Sequence, residues 1–214
     1  REKSFLNSAL IAFQPILDQL PQSRNSWLGN KIRQANRFAI GAKLTNAERY
    51  WRWCSFADDV YARNIQRQPL DQSIIKTRKK FYLSNISEIG NLNEELYTDM
   101  QLVLQNDMLV KVDSMSMANS LEVRAPFLDY TIIDFAFTLP VEYKIADGIT
   151  KKILKDTFRS FLPEEIFHRP KHGFEVPLLK WFRTELKSMI TDDLLSNSFI
   201  ARQNVFSPQI VSEL

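Results

Sequence analysis

Apolar residues recur at helical spacing along most of this chain. Near its start, Leu6, Leu10 and Phe13 are three or four positions apart, which places them on one face of a helix. Pro15 is expected to interrupt this helix and to start a short turn that ends near Pro21. The segments DQSIIKTRKKFYLSNI and NEELYTDMQLVLQND continue the same spacing further along the chain. The pattern therefore predicts a mainly α protein.

Capping residues mark two helix starts. Thr45 is followed three residues later by Glu48, the arrangement of a capping box in which each side chain bonds to the backbone of the other residue. Ser207 precedes Pro208, and proline is favoured at the first position of a helix. Both patterns predict helices that begin at these residues.

Glycine is scarce in this chain. Only 5 of the 214 residues are glycine, about a third of the usual frequency of roughly 7%. Tight hairpins and phosphate loops tend to need glycine, and neither GxGxxG nor a P-loop pattern occurs. We therefore expect a nearly all-helical structure with marginal strand content.

The bulk properties narrow the class of protein. Hydrophobic residues make up 44% and charged residues 25% of the chain, which is typical of a globular domain. No apolar run of about 18 residues predicts a membrane span, and no secretory signal is visible. The single cysteine, Cys54, fits a reducing cytoplasm and is predicted to be a buried thiol in its aromatic-rich stretch. Together with His168 and His172 it lacks the spacing of a metal site.

The charge pattern gives no indication of a nucleic-acid partner. The formal net charge is +3, and the densest basic run is KTRKK at residues 76–80. Such a run is more often a solvated helix face than a nucleic-acid stripe. We therefore expect neither a nucleic-acid nor a membrane partner.

A charged cluster follows a helix rich in small residues. Asp113 lies within that helix, and Glu122, Arg124 and Asp129 lie in the non-helical stretch LEVRAPFLD. If these groups are buried, they must be paired. The cluster is either an ion-pair clamp between two helices or a ligand contact. As a clamp, it predicts that removal of the Arg124 side chain costs about 2–4 kcal/mol.

Two lysines open the next predicted helix, GITKKILKDTF. Thr150 is the expected N-cap, and Lys151 follows it at the border of the apolar face. Lysines in a first turn oppose the helix dipole. They are either solvated, or they share this helix end with a bound anion.

The stretch RPKHGFEVP fixes the backbone around one lysine. Lys171 lies between Pro170 and Gly173, and these two residues exclude a regular helix. Such restriction limits the entropy lost when an ammonium group is held in one direction. The segment therefore indicates a positioned cation.

Three blocks in this order resemble glutamine-hydrolysing asparagine synthetases. The blocks are KVDSMSMANSLEVRAPFLD, TKKILKDTF and RPKHGF. The resemblance implies the helical C-terminal portion of an α/β, adenine-nucleotide-binding synthetase domain of the PP-loop ATPase type. The S-G-G-x-D-S loop of the family is absent here, so the sheet half is expected to be missing. Residues 1–214 are then a single helical fragment, truncated at both ends.

The family chemistry implied by the resemblance is ATP-dependent amide synthesis. With MgATP, an aspartate side chain forms β-aspartyl-AMP, and ammonia released from glutamine converts it to asparagine. The implied catalytic residue is Lys171, and Lys151 and Lys171 are the implied pyrophosphate-binding residues. Asp113, Glu122 and Arg124 match positions in the wall of the site. The upstream PP-loop and glutaminase portions are the implied partners, so the fragment alone is expected to be inactive.

Two alternatives remain at this point. A β-lactam-synthetase-like or asparagine-synthetase-like amidotransferase with another carboxylate substrate would share both lysines. A noncatalytic helical module that binds protein or nucleic acid through KTRKK belongs to a different class.

Overall fold

The computed structural model describes residues 5–23, 26–68, 70–169 and 176–213, most of which are helical as predicted. The α-helices are α1 (Phe5–Gln19), α2 (Trp27–Ala42), α3 (Asn46–Cys54), α4 (Asp59–Asn64), α5 (Gln72–Leu83), α6 (Leu92–Asp99), α7 (Val110–Met117), α8 (Tyr130–Thr138), α9 (Val141–Lys144), α10 (Lys152–Phe158), α11 (Glu164–His168), α12 (Leu178–Arg183), α13 (Asn197–Gln203) and α14 (Pro208–Ser212). Wider π-helical turns span Met100–Leu109 and Met189–Leu194, and a 3₁₀ turn spans Pro126–Leu128. Within these described ranges, no helix has both the length and the apolar character needed to cross a bilayer.

Strand content is marginal, as the scarcity of glycine predicts. Strands β1 (Ile145–Ala146) and β2 (Ile149–Thr150) form an antiparallel hairpin in which Ile145 faces Thr150 and Ala146 faces Ile149. Asp147 and Gly148 connect them with φ of 52° and 75°. Two successive positive φ angles are what a two-residue type I′ turn requires.

The chain divides into two compact units. The first comprises Arg1–Asp59 and Asp71–Asn119, and the second comprises Val60–Leu70 and Ser120–Leu214. The expectation that residues 1–214 form one fragment of a larger domain stays a prediction.

In the first unit, α1 packs along α2 and continues through Pro15. The expected break at Pro15 is therefore wrong, because bonds on both sides of it hold α1 to α2. Asn36 donates to Asp18 at 2.9 Å, and Lys43 donates to Gln14 at 2.7 Å. These tertiary contacts offset the backbone bond that a proline cannot make.

The predicted capping box is present at the start of α3. The Thr45 hydroxyl accepts from the Glu48 amide at 3.3 Å, and the Glu48 carboxylate accepts from the Thr45 amide at 3.3 Å. The start of α14 is also confirmed, with Ser207 in the N-cap position and Pro208 in the first turn. The Ser207 side chain makes no capping bond there.

The core of the first unit does not include Cys54. Its buried side chains include those of Ala39, Tyr50, Ile86 and Thr98, and the Tyr50 hydroxyl donates to Asp99 at 3.1 Å. Cys54 is the last residue of α3 and is exposed. The prediction of a buried thiol was wrong because the helix ends there and the backbone turns away at Ser55.

The second unit has its buried residues near the C-terminal helices. Ile200 and Val211 are buried, and the segment between α13 and α14 is bonded to an earlier segment of the chain. The Arg67 amide donates to the Val205 carbonyl at 2.9 Å, and the Ser207 amide donates to the Ile65 carbonyl at 2.9 Å. This short backbone pairing joins residues 60–70 to the end of the chain.

Large apolar side chains are exposed in both units. In the first unit they include Trp27 and Phe38, and in the second they include Phe127 and Tyr130.

Candidate functional site

Lys151 lies directly after the β1–β2 hairpin and immediately before α10. Its backbone is left-handed, with φ 56° and ψ 38°. A residue with a Cβ atom adopts this conformation at a cost of about 1–2 kcal/mol. The expected N-cap, Thr150, is instead paired with Ile145 in the hairpin. Thr150 is therefore not the cap, because strand pairing fixes it one residue too early.

The Lys151 side chain is exposed and has no acidic partner within the described ranges. Its neighbour Lys152 is paired instead, with its ammonium nitrogen 2.7 Å from Asp156. The Lys151 carbonyl accepts from the Lys155 amide at 3.1 Å, which anchors the backbone of this residue to the first turn of α10. The hairpin and the helix thus fix the backbone of a lysine whose charge is not neutralised by any described acidic residue.

Lys171 lies outside the described residues, together with Pro170 and Gly173. The chain on either side of this segment is described. Helix α11 ends before it with the Arg169 amide donating to the Glu165 carbonyl at 3.0 Å. Helix α12 begins after it at Leu178.

A three-residue ionic cluster precedes that segment, and the sequence reading missed it. Glu164 accepts from Arg159 at 2.7 Å and contacts the His168 ring nitrogen at 2.9 Å. The hydrogen bond to His168, followed by the charge of Arg159, lowers the pKa of the Glu164 carboxyl. The i,i+4 spacing of Glu164 and His168 on one helix was the available signal. The cluster joins α11 to the turn after α10.

The residues predicted for the site wall are all exposed. Arg124 and Glu122 form an ion pair whose side chains are 86% and 65% exposed. The pair is therefore not a buried clamp, because two residues of the same extended segment meet at the surface. Ala125 is extended as predicted, with φ −112° and ψ 95°. Asp113 is exposed on α7 in the other unit.

Replacing Arg124 with alanine should lower the free energy of unfolding by less than about 1 kcal/mol, since exposed ion pairs contribute little. This replaces the larger loss predicted for a buried clamp. Urea denaturation of the chain measures the change, and Arg78→Ala on α5 is a control that removes another exposed arginine. A loss of several kcal/mol specific to Arg124→Ala would contradict the exposed arrangement.

The fourth charged residue of this stretch, Asp129, has a structural role. Its carboxylate accepts from the Thr131 amide at 2.9 Å and caps α8. Hydrogen bonds from the Thr131 side chain and then its backbone lower the pKa of this carboxyl. Asp129 thus turns the chain from the extended segment into α8.

The basic run KTRKK lies on α5 and is partly engaged inside its own unit. The Lys79 ammonium is 2.8 Å from Asp59 and 5.2 Å from the centre of the Trp51 ring. No observation on this helix favours a nucleic-acid surface. Among the described residues, no three His, Cys, Asp or Glu side chains are grouped as a metal site.

Comparisons with known proteins agree on one family. The family model described as asparagine synthase matches residues 9–214. Glutamine-hydrolysing asparagine synthetase 1 of Bacillus subtilis is 37% identical over 111 residues, which cover 52% of this chain and 18% of that protein. The Rattus norvegicus enzyme is 41% identical over 69 residues, covering 31% and 12%. The Homo sapiens enzyme is 30% identical over 100 residues, covering 42% and 18%.

These curated relatives are much longer than the part that matches. The aligned residues span no more than 18% of the length of each of the three. No solved structure matches this chain.

Proposed function

We propose that this chain, which belongs to the asparagine synthase family, is the helical part of an ATP-dependent ligase that converts aspartate to asparagine. The family model covers nearly the whole chain, and the relatives are named for this synthesis. The sequence blocks that carry the resemblance also contain both lysines. Family membership and these two positions support a role in the synthetase reaction.

The reaction has two steps. The aspartate side-chain carboxylate attacks the α-phosphorus of ATP, the bond to the bridging oxygen breaks, and pyrophosphate leaves. Ammonia then attacks the acyl carbon of β-aspartyl-AMP and expels AMP. In the first step, negative charge develops on the departing pyrophosphate, so positioned cations lower the barrier.

Lys151 is the described residue best suited to bind that charge, and its backbone is the observation that carries this assignment. A left-handed lysine is costly unless the surrounding structure imposes it. Here a hairpin and a helix hold the backbone, while the ammonium stays exposed and has no described acidic partner. Lysine is a compact point charge that suits phosphate oxygens.

Lys171, in the segment between α11 and α12, is proposed to stabilise the leaving pyrophosphate. The support is the RPKHGF block and the restriction that a proline at position 170 places on its own φ. Asp113, Glu122 and Arg124 are proposed only to support the wall of the site. Their exposure leaves their side chains accessible to further protein or to substrate.

The proposal requires protein portions beyond the features described above. A nucleotide-binding sheet of the PP-loop type would hold ATP and Mg²⁺, and a glutaminase portion would supply ammonia in the cytoplasm. The exposed apolar side chains of both units support such contacts, because a further protein surface can cover them. On its own, this chain is proposed to be inactive.

The test is pyrophosphate release by the full-length protein with ATP, Mg²⁺ and ammonia. Release and asparagine formation with aspartate are expected, and other carboxylates should give at least about 100-fold lower kcat/KM. Supplying ammonia directly removes any dependence on glutamine hydrolysis. Turnover of another carboxylate in place of aspartate would identify an amidotransferase of different specificity and overturn the asparagine assignment.

A further inference from the structure

Helices α2 and α3 carry a concentration of positive charge that the proposed reaction does not use. Residues 26–54 contain six basic side chains and one acidic side chain, a net charge of +5, whereas the whole chain has +3. The remaining residues are therefore net negative. The basic residues are Lys31, Arg33, Arg37, Lys43, Arg49 and Arg52.

Two of these arginines line a cavity of about 240 Å³ on the first unit. Arg33 and Arg37 lie one turn apart on α2, and Gln34, Phe38 and Trp53 complete the lining. The i,i+4 spacing places both guanidinium groups on one helix face, where like charges repel. None of the ion pairs formed by the described residues includes either arginine.

Hydrogen bonds hold Arg33 and Arg37 in place, and they use only some of the N–H donors of the two guanidinium groups. Arg37 donates to the Trp53 carbonyl at 3.2 Å, and Arg33 donates to Asn30 at 2.9 Å. The buried Nε of Arg33 has no hydrogen-bond partner. Trp53 is fixed against α2, since a Cβ atom on Gly41 would lie 2.9 Å from its indole nitrogen. An arginine has five donors in a planar fork that matches a carboxylate, so this cavity can accept one.

The cavity is an open depression on the surface rather than an enclosed pocket. Its volume of about 240 Å³ is below the roughly 300–1,000 Å³ of pockets that bury whole small-molecule ligands. This open shape suits a side chain that belongs to a larger partner. Trp27, Lys31, Gln34 and Phe38 form an exposed stripe on one face of α2 that extends this surface beyond the cavity.

We propose that the Arg33–Arg37–Trp53 cavity, with the exposed stripe of α2, binds an acidic amphipathic segment of a protein. A carboxylate of that segment occupies the cavity between the two guanidinium groups. Its apolar side chains lie on Phe38 and Trp27, in the manner of a helix in a groove. The charge of residues 26–54 complements the acidic partner.

The test is fluorescence anisotropy of a fluorescein-labelled peptide, Gly-Glu-Glu-Leu-Phe-Glu-Glu-Leu-Gly, with the full chain. A twin peptide carries glutamine in place of each glutamate. We expect the acidic peptide to bind with a micromolar Kd and the neutral twin at least about 10-fold more weakly. Binding should weaken as salt is raised, because the cavity is open to solvent.

Two double variants, each of which removes two positive charges, test whether the cavity binds the peptide. Arg33→Gln with Arg37→Gln should weaken binding of the acidic peptide by at least about 10-fold. Lys76→Gln with Lys80→Gln on α5 removes two exposed charges at the same spacing and should change it by less than about 2-fold. Arg33→Gln alone breaks only the described bond to Asn30. This variant gives a second measurement of peptide binding if the double variant unfolds at a lower temperature than the parent.

Four outcomes would overturn the proposal. These are no binding at about 1 mM acidic peptide, equal binding of the neutral twin, equal weakening by the α5 control, or tighter binding of a single-stranded oligonucleotide that depends on Arg33 and Arg37. The last outcome would identify a nucleic-acid surface instead.

Discussion

Replacing Lys171 with alanine in the full-length protein should lower the rate of pyrophosphate release by about 100-fold or more. One preorganised donor at a developing negative charge contributes about 3–4 kcal/mol to the transition state. Because that charge is largest as pyrophosphate leaves, kcat should fall more than the KM for ATP rises. The measurement is pyrophosphate release with ammonia supplied directly.

Two comparisons make this result specific to Lys171. Glutamine hydrolysis by the same variant should be unchanged, since that reaction is proposed for a separate portion of the protein. Lys180→Ala, which removes an exposed lysine from α12, should leave pyrophosphate release at the parent rate. Lys171→Arg should rescue poorly, because a planar fork does not replace a compact ammonium. Release at the parent rate by Lys171→Ala would show that Lys171 has no role in the reaction.

The sequence predicts structure best where a few neighbouring residues decide it. The Thr45–Glu48 capping box needs only residues three apart, and the structure confirms both of its bonds. The expected break at Pro15 was wrong because Asn36 in α2 and Lys43 at its C-cap bond to α1 residues 18 and 29 positions away from them. Such tertiary contacts override local propensity and leave no local sign.

The hairpin before Lys151 has a local signal in the sequence. Asp147-Gly148 is the preferred dipeptide of a type I′ turn, and it predicts the pairing of Ile145 with Thr150. The low glycine content of the whole chain did not predict where this single turn lies. The left-handed backbone of Lys151 could not be predicted, since it depends on how the hairpin joins α10.

The residues of the candidate site were predicted from family motifs more than from the spacing of charged and apolar residues. The charges of Glu122 and Arg124 indicate a buried pair only if the surrounding apolar residues cover them, and here both remain exposed. The roles of Lys151 and Lys171 came from the family resemblance and stay predictions. The structure adds the left-handed backbone conformation of Lys151. The cost of this conformation and the proposed role of the ammonium group can therefore be measured separately.

Replacing Lys151 with glycine should therefore change stability and activity in opposite directions. Glycine adopts the left-handed conformation without the steric cost borne by other residues, so the free energy of unfolding should rise by up to about 1 kcal/mol. Lys151→Ala keeps the strain and should gain nothing. Both variants lose the ammonium, and a hydrogen bond to a charged group contributes about 1.5–3 kcal/mol, so pyrophosphate release should fall about 10-fold or more. Thermal denaturation and the pyrophosphate assay with ammonia give the two readings.

Asp147→Gly is the matched control for this pair of measurements. Asp147 has φ 52° in the turn of the same hairpin, so glycine should also relieve strain there, by a smaller amount because aspartate tolerates this conformation better. This control should leave pyrophosphate release unchanged. If Lys151→Gly kept the parent rate, the ammonium would have no role in the reaction. If it lowered stability, the left-handed backbone would not be the source of strain. We expect a gain in stability together with a loss of activity only at Lys151. This result would mean that the strained backbone is kept because it positions the ammonium group.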